Sequence, residues 1–327
     1  MTQTMQSEAG ARPHVSVVMV SYNTRELTLA AIASVFDSIV EPGFGVEVIV
    51  VDNASHDGSA DAVAARFPGV TLIRSADNIG FGRGNNLGAG HAAGEALFLL
   101  NTDTIVRAGA IETLHHTLFA DDTIGIAGPF LENADGSYQC SMTSFPSVWR
   151  TFCHYFWLDR LLPRSAFFAD GNMAQADPLV PRDVDIINGA ALMIRRDLYE
   201  AINGFDPDFF MYFEEPDLCR RVNLRGFRAR YTPSARVIHL ISQSSRSRMW
   251  WTHKTLRGSR MVYARKHMSS AQRLALWGIV HVGTAIRIII YPLIGLVKPR
   301  FGVMGLDMLK SYLPAGSGLT SRKNANA

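Results

Sequence analysis

Four stretches of this chain concentrate side chains able to do chemistry. Asp103 closes an apolar run in the string Leu99-Leu100-Asn101-Thr102-Asp103-Thr104, where a carboxylate is costly unless it is solvated or holds a cation. Mg²⁺ or Mn²⁺ suits such a position. These ions take one or two carboxylates and fill their remaining sites with water and phosphate oxygens. The competing reading makes Asp103 a cap for the helix beginning near residue 108. Glu214, Glu215 and Asp217 follow Phe209-Phe210-Met211-Tyr212-Phe213. Carboxylates crowded beside apolar side chains raise one another's proton affinity, which prepares a general base. An acidic first helical turn with Pro216 in it explains the same string through the helix dipole. In Asp52-Asn53-Ala54-Ser55-His56-Asp57-Gly58-Ser59, Asp57-Gly58 supplies a turn and Ser59 an N-cap. Asp52 is needed for neither, which leaves it for a hydrogen bond to a base or ribose. His239 follows the strand-like residues 235–238 and reads either as a core histidine or as a metal ligand.

A glycine-rich stretch, Asn78-Ile79-Gly80-Phe81-Gly82-Arg83-Gly84-Asn85-Asn86-Leu87-Gly88, precedes a helix and offers backbone that can approach a phosphate closely. It is not a dinucleotide fingerprint. The glycines do not follow the first strand, and no acidic residue ends a second strand about twenty residues on.

The elements that must position these residues alternate. Residues 15–20, 46–51, 70–73 and 96–100 have strand patterns, and residues 24–38, 59–66 and 84–93 have helical spacing. Alternating β and α units with uncharged strand interiors imply a parallel sheet covered on both faces, with ligands at the carboxyl ends of its strands. The polar residues there are Tyr22 and Asn23, Asp52 and Asn53, Asn78 through Asn86, and Asp103. Residues 127–185, broken by Pro146, Pro163, Pro178 and Pro181, read as loop and acceptor-side structure. Patterning returns at residues 184–194, a strand with Gly189 inside it, and at residues 196–202, a short helix ended by Asn203-Gly204.

Composition narrows the class. The three cysteines, Cys140, Cys153 and Cys219, form no CxxC pair, which argues against a disulfide scaffold and a thiolate zinc site. Residues 1–14 read as a flexible start without the basic and apolar regions of a signal peptide, so the catalytic part is expected in the cytoplasm. Charge is sharply divided. Residues 1–217 hold 28 of the 29 acids against 12 Lys+Arg, and residues 218–327 hold 20 Lys+Arg against Asp307 alone. Such a basic part expects a polyanionic partner: an anionic membrane surface, a phosphate-bearing substrate or a nucleic acid. No nucleic-acid-binding pattern accompanies it, and the acidic half would repel a polyanion of that kind.

Within the basic part, residues 246–273 carry eight Lys+Arg with Trp250, Trp251 and Tyr263 interleaved, and residues 274–297 are strongly apolar. At helical spacing Arg273, Thr284, Arg287, Tyr291 and Lys298 share one narrow stripe. Arg287 near the middle and Pro292 beyond it favour a surface-lying or hairpin arrangement over a span. A core helix or a homodimer contact is the alternative. Residues 248–312 are thus a helical membrane-associating region, followed by a flexible tail at 313–327.

Together these strings resemble the family 2 glycosyltransferases of the inverting A type, especially their bacterial rhamnosyltransferase-like branch. The resemblance runs from residue 15 to residue 247 through Val20-Ser21-Tyr22-Asn23, the Asp52 and Asn78 stretches, Leu100 through Thr104, Asn188-Gly189-Ala190, Gly204-Phe205-Asp206 and Phe210 onward. It implies a Rossmann-like GT-A fold, an α/β mixed and mostly parallel sheet with helices on both faces. The nucleotide half would be 15–125 and the acceptor half 126–247. It also implies a divalent cation and a nucleotide-sugar donor, with dTDP-rhamnose favoured over UDP- or GDP-sugars. The expected acceptor is a glycan or polyprenyl-linked hydroxyl at the cytoplasmic face of a bacterial inner membrane. Asp52 would bind the nucleobase. Tyr22, Asn23, Asn78, Gly80, Phe81, Asn86, Thr102, Asn188 and Gly189 would line the donor site, and Asp103 with His239 would hold the metal. Glu215 stands where the family's base usually stands, with Glu214 beside it. It is one methylene longer than the usual Asp, which keeps Asp217 as a competitor. Asn101 replaces the first acid of the usual Asp-x-Asp. A nucleotide-binding module without turnover would have lost Asp103 or the 214–217 carboxylates, and both are present.

Overall fold

The computed structural model describes residues 13–169, 171, 173, 176–240 and 249–313. The expected flexible start and tail therefore lie outside the described residues except for Pro13, His14 and Leu313, as do Arg246 and Arg248 of the basic segment. The chain runs β1 (Val15–Ser21), α1 (Arg25–Ser38), β2 (Val46–Asp52), α2 (Ser59–Arg66), β3 (Thr71–Arg74), α3 (Phe81–Ala89), β4 (Ala96–Leu100), β5 (Thr104–Val106), α4 (Ala110–Phe119) and β6 (Ile124–Glu132). Next come β7 (Tyr138–Gln139), β8 (Met142–Thr143), α5 (Val148–Tyr155), α6 (Leu158–Leu161), β9 (Arg182–Val184), β10 (Ile186–Ile187), β11 (Ala191–Arg195) and α7 (Arg196–Ala201). The chain closes with α8 (Glu214–Leu224), β12 (Arg228–His239), α9 (Met249–His267), α10 (Ser270–Gly295) and α11 (Pro299–Lys310).

Two compact units result. The first comprises Met1–Phe145, Gly171–Phe210 and Glu214–Ile241. Its main sheet has the order β3-β2-β1-β4-β11-β6-β12-β5, with β7 added to β6 and β9 to β12. Strands β1 to β4 are parallel. Strand β11 runs against both β4 and β6, while β12 runs with β6 and β5 against β12. Six strands of the main order therefore point one way, and only β11 and β5 oppose them. This is the mixed, mostly parallel sheet expected.

Period-two alternation divides the strand side chains between two cores. Val15, Val17, Met19, Val48, Val50, Phe98 and Leu100 pack with Ile32 and Val35 of α1 and Ile111 and Leu114 of α4. Val18, Ile49, Leu97 and Leu99 pack on the other side with Leu198 of α7 and Leu218 and Val222 of α8. Helices thus cover both faces, and the strands between them are mostly apolar, with no regular alternation of charge to mark a solvent side.

Three local expectations change. Residues 124–132, partly assigned to irregular structure, form β6, a strand buried along its whole length in the middle of the sheet. Pro129 hid it, because a proline ordinarily argues against a central strand. Here Pro129 lies opposite Thr232, where the β6–β12 register shifts and the ladder is already interrupted. The single strand expected at 184–194 is two: β10 pairs with β8 in a separate small sheet and β11 joins the main one. Asn188-Gly189 breaks it, with the Asn188 Oδ1 accepting from Ala190 N at 2.9 Å. Helix α3 begins at Phe81 and ends at Ala89, earlier at both ends than its sequence spacing suggested.

The second unit comprises Pro146–Asp170, Met211–Phe213 and Ser242–Ala327. It recruits residues 146–170 from what the sequence assigned to the acceptor half. Helix α10 starts with a complete capping box, in which Ser269 and Gln272 bond each other's backbone N–H. It continues through Pro292 and packs with α11 as an antiparallel hairpin, the Tyr291 and Phe301 rings lying 5.4 Å apart and the His281 and Tyr312 rings 5.9 Å apart. Its polar stripe points inward. Thr284, Arg287 and Tyr291 are buried, whereas Leu274, Trp277, Val282, Ile289 and Leu293 are exposed. The Arg287 guanidinium lies over the rings of Tyr155 at 4.8 Å and Trp157 at 5.1 Å and donates to the His154 carbonyl. α10 is long and apolar enough to cross a membrane, with a mean hydropathy of 1.7 over its most apolar stretch.

Candidate active site

Strand direction gathers the chemistry at one edge. β1 ends at Ser21, β2 at Asp52, β4 at Leu100, β6 at Glu132 and β12 at His239, all pointing the same way. The antiparallel strands begin at that edge, so Thr104 of β5 lies opposite His239 and Ala191 of β11 opposite Leu100. Tyr22, Asn23, Asp52, Asp103, His239 and Asn188-Gly189 are therefore brought to one side of the sheet. This is where an open α/β sheet binds ligands.

On the β1–β2 side, polar side chains fix two loops. Asn23, in the left-handed region at φ 53°, accepts from His56 N at 2.8 Å and donates its own N–H to Ser55 Oγ at 3.0 Å. Asp57, and not Ser59, completes the start of α2, since its Oδ1 accepts from Ser59 N at 3.0 Å. Asp52 is buried. Its Oδ2 accepts from Ser55 N at 3.1 Å, and its Oδ1 has no hydrogen-bond partner. A buried, unfilled acceptor at the end of a strand is prepared for an N–H or O–H donor such as a base or ribose presents.

Asn53, which the sequence placed among the polar strand-end residues without a role, has one here. Its Nδ2 donates to Asn78 Oδ1 at 3.0 Å and to Gly80 O at 3.3 Å, and its Oδ1 accepts from Ile79 N at 2.9 Å. It thereby ties the end of β2 to the glycine-rich stretch. Asn78 Oδ1 also receives Gly80 N at 3.1 Å. Gly80 has φ 87°, and a Cβ there would run into the Phe210 carbonyl, so both conformation and space require glycine. Phe81 N donates to the same carbonyl at 3.1 Å. Tyr22 is exposed, and Thr102 is buried with its hydroxyl 3.1 Å from that of Thr24. Asn86 joins two elements. Its Oδ1 accepts from Phe205 N at 2.8 Å and Tyr199 OH at 2.5 Å, and its Nδ2 donates to Phe205 O at 2.7 Å, which fills the amide and fastens α3 to the Gly204-Phe205 turn.

Asp103 is not a helix cap. Helix α4 begins seven residues later, at Ala110 behind Gly109, whose φ is 73°. Instead the Asp103 Oδ1 lies 3.3 Å from His239 Nε2. That separation suits two neighbouring positions on an octahedral ion, because ligands about 2.1 Å from a Mg²⁺-like centre stand about 3.0 Å apart along an edge. Among the described residues no third His, Cys, Asp or Glu joins them in a cluster able to hold a metal. An ion held by this pair alone would leave its other positions to water and phosphate oxygens, which these hard ions favour.

Glu214, Glu215 and Asp217 separate into distinct environments on α8. Asp217 is buried and paired, its Oδ2 taking Arg221 Nε at 2.7 Å one helical turn on, while Arg221 also donates to the Ile202 carbonyl at 2.8 Å. Glu214 is buried and its Oε2 has no hydrogen-bond partner. Burial pushes its carboxyl well above the usual carboxylate range, and the charge of Glu215 adds to the effect. Glu215 is only partly buried along its length, yet its Oε2 is buried and unpartnered, and desolvation raises its proton affinity too. A side chain at Gly189 would lie 3.5 Å from Glu215 Cβ, so the Asn188-Gly189 break leaves room beside this carboxylate. The crowding read in the sequence is real, and it distinguishes Glu214 and Glu215 from Asp217.

Comparisons with known proteins agree with this arrangement. The chain is 31% identical over 205 residues to the N-acetylglucosaminyl-diphospho-decaprenol L-rhamnosyltransferase of Mycobacterium tuberculosis, covering 59% of this chain and 66% of that protein. It is 27% identical over 182 residues to rhamnosyltransferase WbbL of Escherichia coli, covering 51% of this chain and 63% of that one. The chain thus spans just under two thirds of each relative's length. Among solved structures, the mannosyltransferase PcManGT of Pyrobaculum calidifontis, in complex with GDP-Man and Mn²⁺, superposes with a TM-score of 0.55 at 18% identity, over 92% of this chain and 86% of that one. GalNAc-T7 with UDP, GalNAc and Mn²⁺ gives a TM-score of 0.54 at 15% identity over 71% of this chain and 44% of that one. At such identities these two likenesses speak for the fold alone. Residues 16–202 match the family model described as glycosyl transferase family 2, and with the strand-edge carboxylates falling inside and just beyond that span, the chain belongs to this family.

Proposed function

We propose that this protein is an inverting, divalent-cation-dependent glycosyltransferase of bacterial cell-surface polysaccharide synthesis. It would move rhamnose from dTDP-rhamnose, or a related hexose from another nucleotide sugar, to a hydroxyl of a glycan or polyprenyl-linked acceptor. The observation that carries the reading is the convergence of unfilled carboxylates at the carboxyl edge of the sheet: Asp52 with a bare Oδ1, and Glu215 with a bare, buried Oε2. The rhamnosyl part draws on the names of the mycobacterial and Escherichia coli relatives.

Asp52 accepts a hydrogen bond from the nucleobase or ribose, while Asn53 and Asn78 hold the Gly80 backbone where a diphosphate passes. Asp103 and His239 would hold Mg²⁺ or Mn²⁺. A cation there supplies charge neutralisation for the departing nucleotide diphosphate. Glu215 takes the proton of the acceptor hydroxyl as that oxygen attacks the anomeric carbon from the face opposite the leaving group, and one displacement inverts the centre. Raised proton affinity is what a base needs to be effective near neutral pH.

The second unit supports action at the cytoplasmic face of the inner membrane. The exposed apolar side of α10 and the absence of any carboxylate from Leu218 to Leu306 fit an anionic bilayer surface. Thermal shift of the full chain with dTDP-rhamnose, UDP- and GDP-sugars, each with Mn²⁺, tests the donor, because a ligand bound only to the folded state raises the melting temperature. Incubation of the stabilising donor with a polyprenyl-diphosphate-linked N-acetylglucosamine then tests transfer. Stabilisation by none of the nucleotide sugars would overturn the proposal.

A further inference from the structure

Gln139 has no place in the chemistry above, yet it ends in direct contact with a proposed metal ligand. Its strand, β7, pairs with the end of β6, setting Gln139 opposite Leu131. Its Oε1 lies 2.6 Å from His239 Nδ1, and its Nε2 donates to Asn133 Oδ1 at 2.9 Å and to the His239 carbonyl at 3.3 Å.

Hydrogen-bond polarity fixes the direction of the whole chain of contacts. Gln139 has two acceptors around one end of its amide, so that end must be the NH₂ and the other the carbonyl. Asn133 is pinned likewise, since its Nδ2 faces the Tyr138 carbonyl at 3.4 Å and Ser137 Oγ at 2.9 Å, leaving its Oδ1 to receive Gln139. The Gln139 Oε1 can only accept. His239 Nδ1 must therefore carry a hydrogen, and in the neutral ring the lone pair sits on Nε2, 3.3 Å from a carboxylate oxygen of Asp103. Two electron-rich atoms at that separation repel unless a second proton or a cation lies between them.

We propose that Gln139 is a positioning residue for a divalent cation. Through Asn133 it holds His239 as the Nδ1–H tautomer and orients the ring so that Nε2 and the Asp103 carboxylate meet on one ion. The inference rests on the metal-dependent reading above and adds to it the residues that prepare the nitrogen ligand. Hydrogen bonds of this kind to a ligating histidine fix its tautomer and raise its basicity, and removing them typically costs ten- to a hundredfold in metal affinity.

Two measurements on the full chain test it. In a long-range ¹H–¹⁵N spectrum of the metal-free protein, with His239 assigned by its loss in His239→Ala, the ring should show the Nδ1–H pattern. The Nε2–H pattern would overturn the inference by itself, without any Gln139 variant. Mn²⁺ binding, followed by electron paramagnetic resonance with dTDP present, should weaken about tenfold or more in Gln139→Met, which keeps length without the acceptor. It should stay within a few-fold of wild type in Gln139→Glu, whose carboxylate still accepts from Nδ1. If His239→Ala loses Mn²⁺ and Gln139→Met binds it as wild type does, Gln139 only joins two strands. Wild-type protein that binds no Mn²⁺ while showing the Nδ1–H ring would instead overturn the metal reading and, with it, the role assigned to Gln139.

Discussion

The division between Glu215 and Asp217 gives a quantitative test, because the two acids share a helix but not an environment. Glu215→Gln removes the proton acceptor and preserves size. Loss of a general base costs about a hundred- to ten-thousandfold in turnover, which at about 1.36 kcal/mol per tenfold is roughly 3–5 kcal/mol of barrier. Stability should hold or rise, since a buried carboxylate with a bare oxygen becomes a neutral amide. Asp217→Asn does the opposite. It breaks a buried ion pair, which costs about 3–5 kcal/mol when one partner loses its charge. Arg221 keeps 22% of its side chain exposed and retains the Ile202 carbonyl, so the lower end applies. At about 2–4 °C per kcal/mol, the melting temperature should fall by on the order of 10 °C. The assay is single-turnover transfer at saturating donor and acceptor, run well below both melting temperatures, beside thermal denaturation of each variant. An Asp217→Asn enzyme that melts like wild type and is inactive, beside an active Glu215→Gln enzyme, would refute the assignment and move the base to Asp217.

Two further outcomes follow from burial and exposure. The Glu214 carboxyl binds protons more tightly in the folded than in the unfolded chain, so its stabilising contribution is full below the ordinary carboxylate range and is lost as pH rises through its folded value. Glu214→Gln should therefore melt higher than wild type near pH 8, with the gap closing toward about pH 4; a gap that widens toward low pH would contradict this. Leu274 and Ile289 are exposed on α10, and Leu274→Asp with Ile289→Asp should release the full chain from anionic vesicles without lowering its melting temperature. Wild-type protein that ignores such vesicles at low salt, where each basic residue near the surface contributes about 1 kcal/mol, would end the membrane reading.

The nucleotide half was legible because its rules are local. Strands β1, β2 and β4 are apolar-rich runs, with Glu47 the one charge before their ends, and each runs into polar residues, so both their existence and the edge where their carboxylates gather follow from pattern and chain direction. Strand β6 was obscured by Pro129, whose tolerance depends on a register shift in a strand a hundred residues away. Periodicity found the polar stripe of α10 correctly but could not say which side faced solvent. The inward orientation depends on Tyr155 and Trp157, from a segment the sequence had assigned elsewhere. Asn53 was marked only by its position and Gln139 was not marked at all, for another reason. An amide looks alike in a turn and in a site, and only its partners distinguish the two.

Those partners sort the polar residues of the sheet edge into two kinds. The amides of Asn53 and Asn86 are filled by protein groups, and those of Asn23, Asn78 and Asn188 are tied to neighbouring loops. They hold the β2 loop, the Gly80 turn, the Phe205 turn and the Gly189 break against one another. Asp52, Glu214 and Glu215 instead each keep a buried oxygen without a partner. Native interiors rarely leave such atoms bare, and each lowers stability. The arrangement is coherent if the amides build a rigid frame and two of these carboxylates keep acceptors open for what arrives, Asp52 for a base or ribose and Glu215 for a proton, with Glu214 buried beside it. Substituting a framing amide should then lower stability and donor affinity together, whereas substituting an open carboxylate should separate activity from stability. The same logic places Gln139 with the frame although it touches the site, since both ends of its amide are occupied and its effect reaches the chemistry only through His239.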